Sequence, residues 1–221
     1  MMDKDTAAKF NDSYGWFTAF YRDLHELLRT ISNQLAKMPQ PYTISSAVPL
    51  KSFMQLPNNG SLKLPNPIVV SHVHGGDAEH GGKAHLPVVS VLSVLSLDEE
   101  LDPSEAQQIR IAAPLTVLRH ESVKPYSLEP SLVIFLHEDY GRKTSPKCTL
   151  KGEPVGEGES FKGTLAVGAD GKEVRFSCFL VPLDAFSDEK CPNKEALNAV
   201  IGDKVINPLK KRLDEFGEAK Q

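Results

Sequence analysis

Gly163-Thr-Leu-Ala-Val-Gly-Ala-Asp-Gly-Lys-Glu-Val-Arg-Phe-Ser-Cys-Phe-Leu-Val-Pro182 is the stretch that decides the fold. Two β-prone runs, residues 163–168 and 172–182, flank Ala169-Asp170-Gly171. An Asp-Gly step between such runs is a strong hairpin signal, because the central residues of a tight primed turn need positive φ. The second run alternates. Val174, Phe176, Cys178 and Leu180 fall on one face, and Arg175, Ser177, Phe179 and Val181 on the other, so one end of the second face is wet. A chain that doubles back in this way builds antiparallel sheet.

Working towards the N-terminus, further β-branched runs read as strands. They are residues 132–137, 115–119, 87–97 and 68–74, with a short one around Tyr42–Leu50. In the run 87–97, Ser90, Ser93 and Ser96 recur at a helical spacing, but the valines and Pro87 favour strand. Asp102-Pro103-Ser104-Glu105 signals a short helix reaching about Arg110. Residues 140–160, rich in Gly and Pro, read as a loop. The expectation is an α+β domain over residues 1–221, with a mainly antiparallel sheet of five or six strands between about residues 62 and 182.

Helices are expected at both ends. Phe10, Tyr14, Phe17, Tyr21, Leu24, Leu28, Ile31, Leu35 and Met38 recur at alternating steps of four and three, a heptad stripe that Trp16, Phe20 and Leu27 widen. Pro39 and Pro41 end it. The stripe is either core packing against the sheet or a contact surface for a protein partner or a second copy. In the contact reading the carriers are Tyr14, Phe17, Tyr21, Leu24, Leu28 and Ile31. Aromatic residues make poor knobs for a narrow coiled-coil seam, which favours a broader mating surface. At the other end, Leu197, Ile201, Val205, Leu209, Leu213 and Phe216 form a stripe over about residues 193–216. Pro208 inside it predicts a break or bend near Ile206-Asn207. Lys210-Lys211-Arg212 reads as a cationic last turn complementing the helix dipole.

The net charge of −4 leaves no basic footprint for nucleic acid. No run approaches the ~18 apolar residues of a membrane span, and the N-terminus has no apolar signal region. The three cysteines, Cys148, Cys178 and Cys191, are widely spaced and form no CxxC, which fits a reducing compartment and a cytoplasmic location. Cys178 reads as a small core residue.

The densest cluster of potential ligands is His72, His74, Asp77 and His80, with Glu79 and His85 nearby in a loop holding four glycines within residues 75–85. Residues two apart on a strand share a face, so His72 and His74 can present two imidazoles side by side. Asp77 and His80 could complete a zinc or non-haem iron site with an open position, the basis of a metal-dependent hydrolase. The plainer reading is a solvated hairpin tip, with no cofactor. The order does not match the HxHxDH spacing of metallo-β-lactamases. His74-Gly75-Gly76-Asp77 has no GxSxG partner elsewhere, and neither GxxxxGK[ST] nor GxGxxG occurs. A Cys148–His137 thiolate pair is a weaker candidate, and His137-Glu138-Asp139 reads as a solvated strand end. With no catalytic motif and ample apolar helix, the expected function is a non-enzymatic binding or regulatory domain. Its partner is a protein or a small ligand, met through the N-terminal helix.

Overall fold

The computed structural model of the chain describes residues 4–35, 37–38, 42–47, 68–75, 88–95, 109–127, 129–138 and 147–218. Among the described residues, eight strands form one sheet: β1 (Tyr42–Ala47), β2 (Ile68–Gly75), β3 (Val88–Val94), β4 (Ser131–His137), β5 (Cys148–Leu150), β6 (Val155–Glu157), β7 (Ser160–Val167) and β8 (Lys172–Pro182). Their order is β1-β2-β3-β4-β8-β7-β5, with β6 also on β7, and every pairing is antiparallel. The α+β class and the antiparallel sheet expected from the sequence are those observed. The strand count is higher because β5 and β6, three residues each, lie in the stretch read as loop. Strands that short carry no alternation to read.

The β7–β8 hairpin closes with Val167 opposite Lys172. Its connection is the four residues 168–171 rather than a two-residue turn, with positive φ at Gly168 (79°) and Gly171 (62°). Opposite the hairpin's inner face, Gly163 pairs with Phe176, and a Cβ there would come within 3.0 Å of that ring. A larger residue there would require the ring to shift by a few tenths of an ångström.

Both faces of β3, β4 and β8 are covered. The front face shows Val89, Val91, Leu132, Ile134, Leu136, Phe179 and Val181. Onto it pack Leu24, Leu27, Leu28, Ile31 and Leu35 of α1 (Lys4–Leu35), beside the C-terminal helices. These are α3 (Lys194–Ile201) and α4 (Asn207–Glu218), joined by a π-helical turn over Gly202–Ile206. Gln34 ties α1 to α3 by donating from Nε2 to Asn198 Oδ1 at 2.9 Å. Asn193 caps α3, accepting from Ala196 N at 2.8 Å. The two segments expected around Ile206-Asn207 are those observed, the second beginning at Asn207 and the π turn joining it to the first. The wider winding of a π turn leaves room for the proline ring, which otherwise clashes with the carbonyl four residues earlier.

The back face holds Leu92, Val133, Phe135, Val174, Phe176, Cys178 and Leu180 under α2 (Ile109–Leu118). This corrects the strand expected at 115–119. Ile109, Ile111, Val117 and the internal Pro114 all argue against helix, yet Ala113, Leu115, Val117 and Leu118 are buried. A segment apolar on all sides gains more from burial than β propensity costs it. The helix start expected at Asp102 lies outside the described residues. Among the described residues, no helix is long and apolar enough to cross a membrane.

Candidate functional site

The sharpest polar feature is on the front face, where α4 crosses β7 and β8. Val205, Leu209 and Leu213 of the C-terminal stripe are buried, and Arg212, seven residues after Val205, falls within the same stripe. Its guanidinium therefore enters the interface instead of pointing to water. Nη1 donates to Ser177 Oγ at 2.7 Å, and Nη2 donates to Ser160 Oγ. The plane lies over the Phe179 ring, 4.9 Å from Cζ to the centroid. Ser160 and Phe179 face each other in the β7–β8 register, so two strands supply the cradle. Burial pushes Arg212 below the usual arginine range, opposed by Cys178 and Glu215 nearby.

What distinguishes Arg212 is the charge it lacks. Arg175, on the same face, is paired: Glu138 accepts from its backbone N (3.1 Å), Nε (2.9 Å) and Nη2 (2.7 Å), and its guanidinium also covers Phe216. Glu138 is thus an ion-pair partner and not the solvated strand end expected. Among the described residues no carboxylate reaches Arg212 at ion-pair distance: its hydrogen-bond partners are two neutral hydroxyls, and Glu215 acts on it only from further off. A half-buried cation left with neutral acceptors keeps an unmet demand for negative charge. Beside it runs a groove of about 720 Å³, lined by Phe179, Pro182, Ala185, Val200 and Pro208, with Glu159, Lys190, Asp203 and Lys204 at its edges. That volume lies within the range of small-ligand clefts.

The sequence-predicted residues are placed as follows. Leu24, Leu28 and Ile31 are buried between the sheet and the C-terminal helices, so within the folded chain the intramolecular core already uses them. Tyr14, Phe17 and Tyr21 lie on the N-terminal part of α1, where Trp16 is 65% exposed and stacks on Phe20 at 5.5 Å. His72 and His74 lie on β2, and Asp77 and His80 lie outside the described residues. By register, His72 stands opposite Ser90, and His74 opposite Val88, which in turn faces His137. These positions share the back face. His137 is 2% exposed, and its Nδ1 lies 2.8 Å from the Glu138 carbonyl. A carbonyl only accepts, so that bond requires a proton on Nδ1. Ser90 Oγ is buried without a hydrogen-bond partner. Among the described side chains, no group of three or more His, Cys, Asp or Glu is placed to hold a metal ion.

The Cys148–His137 pair is excluded. Cys148 is on β5, separated from β4 by β7 and β8. Burial also pushes its thiol up to about 11, so at neutral pH it is not a thiolate. Cys178 is fully buried, its thiol pushed up to about 12 by the same cause.

Sequence reasoning passed over Arg212 by grouping it with Lys210 and Lys211 as a cationic helix end. α4 continues to Glu218, the two lysines are exposed, and only the arginine turns inward. Its spacing from Val205 and Leu209 was the available signal. The chain matches no protein-family model, no curated protein and no solved structure.

Proposed function

We propose that the chain is a non-enzymatic binding or regulatory domain that takes a negatively charged small ligand in the groove between α4 and the β7–β8 hairpin. The observation that carries this reading is Arg212: a half-buried guanidinium held by Ser160, Ser177 and Phe179, with no carboxylate partner among the described residues, at the wall of a ligand-sized groove. Holding such a charge out of water is costly unless an anion offsets it. A protein partner would meet the N-terminal half of α1, a reading supported by exposed Trp16 stacked on Phe20.

The test is a panel of anionic, zwitterionic and cationic fragments titrated into ¹⁵N-labelled protein. Anionic fragments should selectively shift the amides of Ser160, Ser177 and Phe179, and Arg212→Gln should weaken them about tenfold or more, the scale of a lost charge-assisted bond. Shifts blind to fragment charge, or clustered elsewhere on the fold, would remove the reading.

A second reading, a metal-dependent hydrolase with zinc or iron at His72, His74, Asp77 and His80, is favoured by one observation. The β2–β3–β4 register aligns His72 and His74 with Ser90 and His137 on one face. Elemental analysis of the purified protein decides it. Near-stoichiometric zinc or iron, lost in His72→Ala/His74→Ala, is the expected signature, and trace metal in the parent ends it.

A further inference from the structure

We infer that the ligand of the Arg212 groove is a small carboxylic acid carried on an apolar body, and not a phosphate or other polyanion. The inference rests on the groove being an anion site, and three features of its wall narrow the class. The first is charge. Lys190 is ion-paired with Asp184, and Lys204 Nζ lies 3.9 Å from Asp203. Among the described lining residues, Arg212 is therefore the cation with no carboxylate within ion-pair distance, Glu215 acting on it only from further off, and Glu159 lines the same groove. A monoanion matches one unmet cation, whereas a dianion would carry excess charge towards Glu159 and Asp203.

The second feature is the donor set. Each Nη gives one N–H to a serine hydroxyl, which leaves further N–H groups in the guanidinium plane for a two-point contact with a carboxylate. Ser160 and Ser177 accept from Arg212 through oxygen, so each keeps its own O–H to donate to the same anion. Phe179 covers one face of the guanidinium and directs an incoming ligand to the edge, where planar carboxylate geometry fits.

The third feature is the rest of the wall. Pro182, Ala185, Val200 and Pro208 are half-buried, apolar surfaces beside the charged end. They offer a hydrocarbon chain or ring a place to leave water. Inorganic phosphate has nothing to place there. One charged end and one apolar flank together describe an alkyl or aryl monocarboxylate.

The experiment compares sodium octanoate, octanol and inorganic phosphate on the full chain at matched ionic strength, read by thermal shift and by amide shifts. Octanoate should bind saturably, shifting Ser160, Phe179 and Val200, with octanol and phosphate at least tenfold weaker. Arg212→Gln should cost octanoate tenfold or more. Val200→Phe, which narrows the apolar wall without touching the guanidinium, should also weaken octanoate while leaving the far-UV spectrum and melting transition in place. If phosphate binds as well as octanoate and both are lost in Arg212→Gln, the ligand class is wrong and the anion site stands. If no anion binds, or octanoate binding is unchanged in Arg212→Gln, the anion site itself fails.

Discussion

Phe135→Ala is expected to lower the unfolding free energy by about 3–5 kcal/mol, the range for deleting a fully buried phenyl ring. Phe135 is 0% exposed at the centre of β4, and its ring stacks on Phe176 at 5.5 Å with an interplanar angle of 9°. The His137 ring lies 6.0 Å away. Removing the phenyl leaves a void walled by a sheet on one side and α2 on the other. Neither collapses readily: the strand is paired on both edges, and the helix is fixed by Leu115, Val117 and Leu118. For a chain of this size the loss corresponds to roughly 6–20 °C in melting temperature. Urea denaturation gives the number directly, and Phe135→Leu should cost only about 1 kcal/mol because it keeps most of the volume. A loss below about 1 kcal/mol in Phe135→Ala would mean that α2 does not seal the back face, and the whole account of that layer would fall.

How much of this was legible in the sequence depends on where the physics is local. The β7–β8 hairpin could be read because alternation and the Gly-Ala-Asp-Gly connection are properties of neighbouring residues. The β3 and β4 runs were readable because strands buried on both faces are continuously apolar. That same continuity explains why Ser90 and Ser93, spaced as on a helix, sit in a strand with buried, unpartnered hydroxyls. α2 was misread at 115–119 because its local chemistry, Pro114 and a set of β-branched residues, points the wrong way and the back-face core outvotes it. The π turn was half-legible. Pro208 announced a disturbance, but not that the helix would absorb it by widening. The candidate site was the least legible part. Ser160, Ser177 and Arg212 are brought together by the β7–β8 register and by the packing of α4, and no local pattern links them. The polar end of β8's front face, Arg175 and Ser177, was the trace of it that a linear reading could find, but that end, expected to be wet, has Ser177 buried against Arg212. Leu24, Leu28 and Ile31 show the converse. Their periodicity was plain, but whether the stripe meets the chain's own sheet or another molecule is decided by tertiary packing alone.

Ile31→Asp separates those two uses of α1. Ile31 is 1% exposed and packs with Leu28 and Leu35 against the front face and the C-terminal helices. A carboxylate there has no cation to meet among the apolar residues of that cluster, so it must be neutralised, unfold its surroundings or lift the helix away. The expected cost is more than about 4 kcal/mol, at the extreme of single substitutions. It should appear in urea melts as a collapse of the main transition, or as a separate early phase in which α1 detaches and the Gln34–Asn198 bond is lost. Trp16→Asp is the counterpart. Trp16 is 65% exposed and touches Phe20 at the outer end of the same helix, so its stability effect should stay within about 1 kcal/mol. If the outer half of α1 meets a protein partner or a second copy, Trp16→Asp should instead shift the species seen by light scattering without moving the melt. Buried apolar area sets stability and exposed aromatic area favours association, and the two substitutions separate these effects at opposite ends of one helix. An Ile31→Asp protein as stable as the parent would show that α1 is not part of the core. The front face would then be the open surface, and the division of labour along the helix would be reversed.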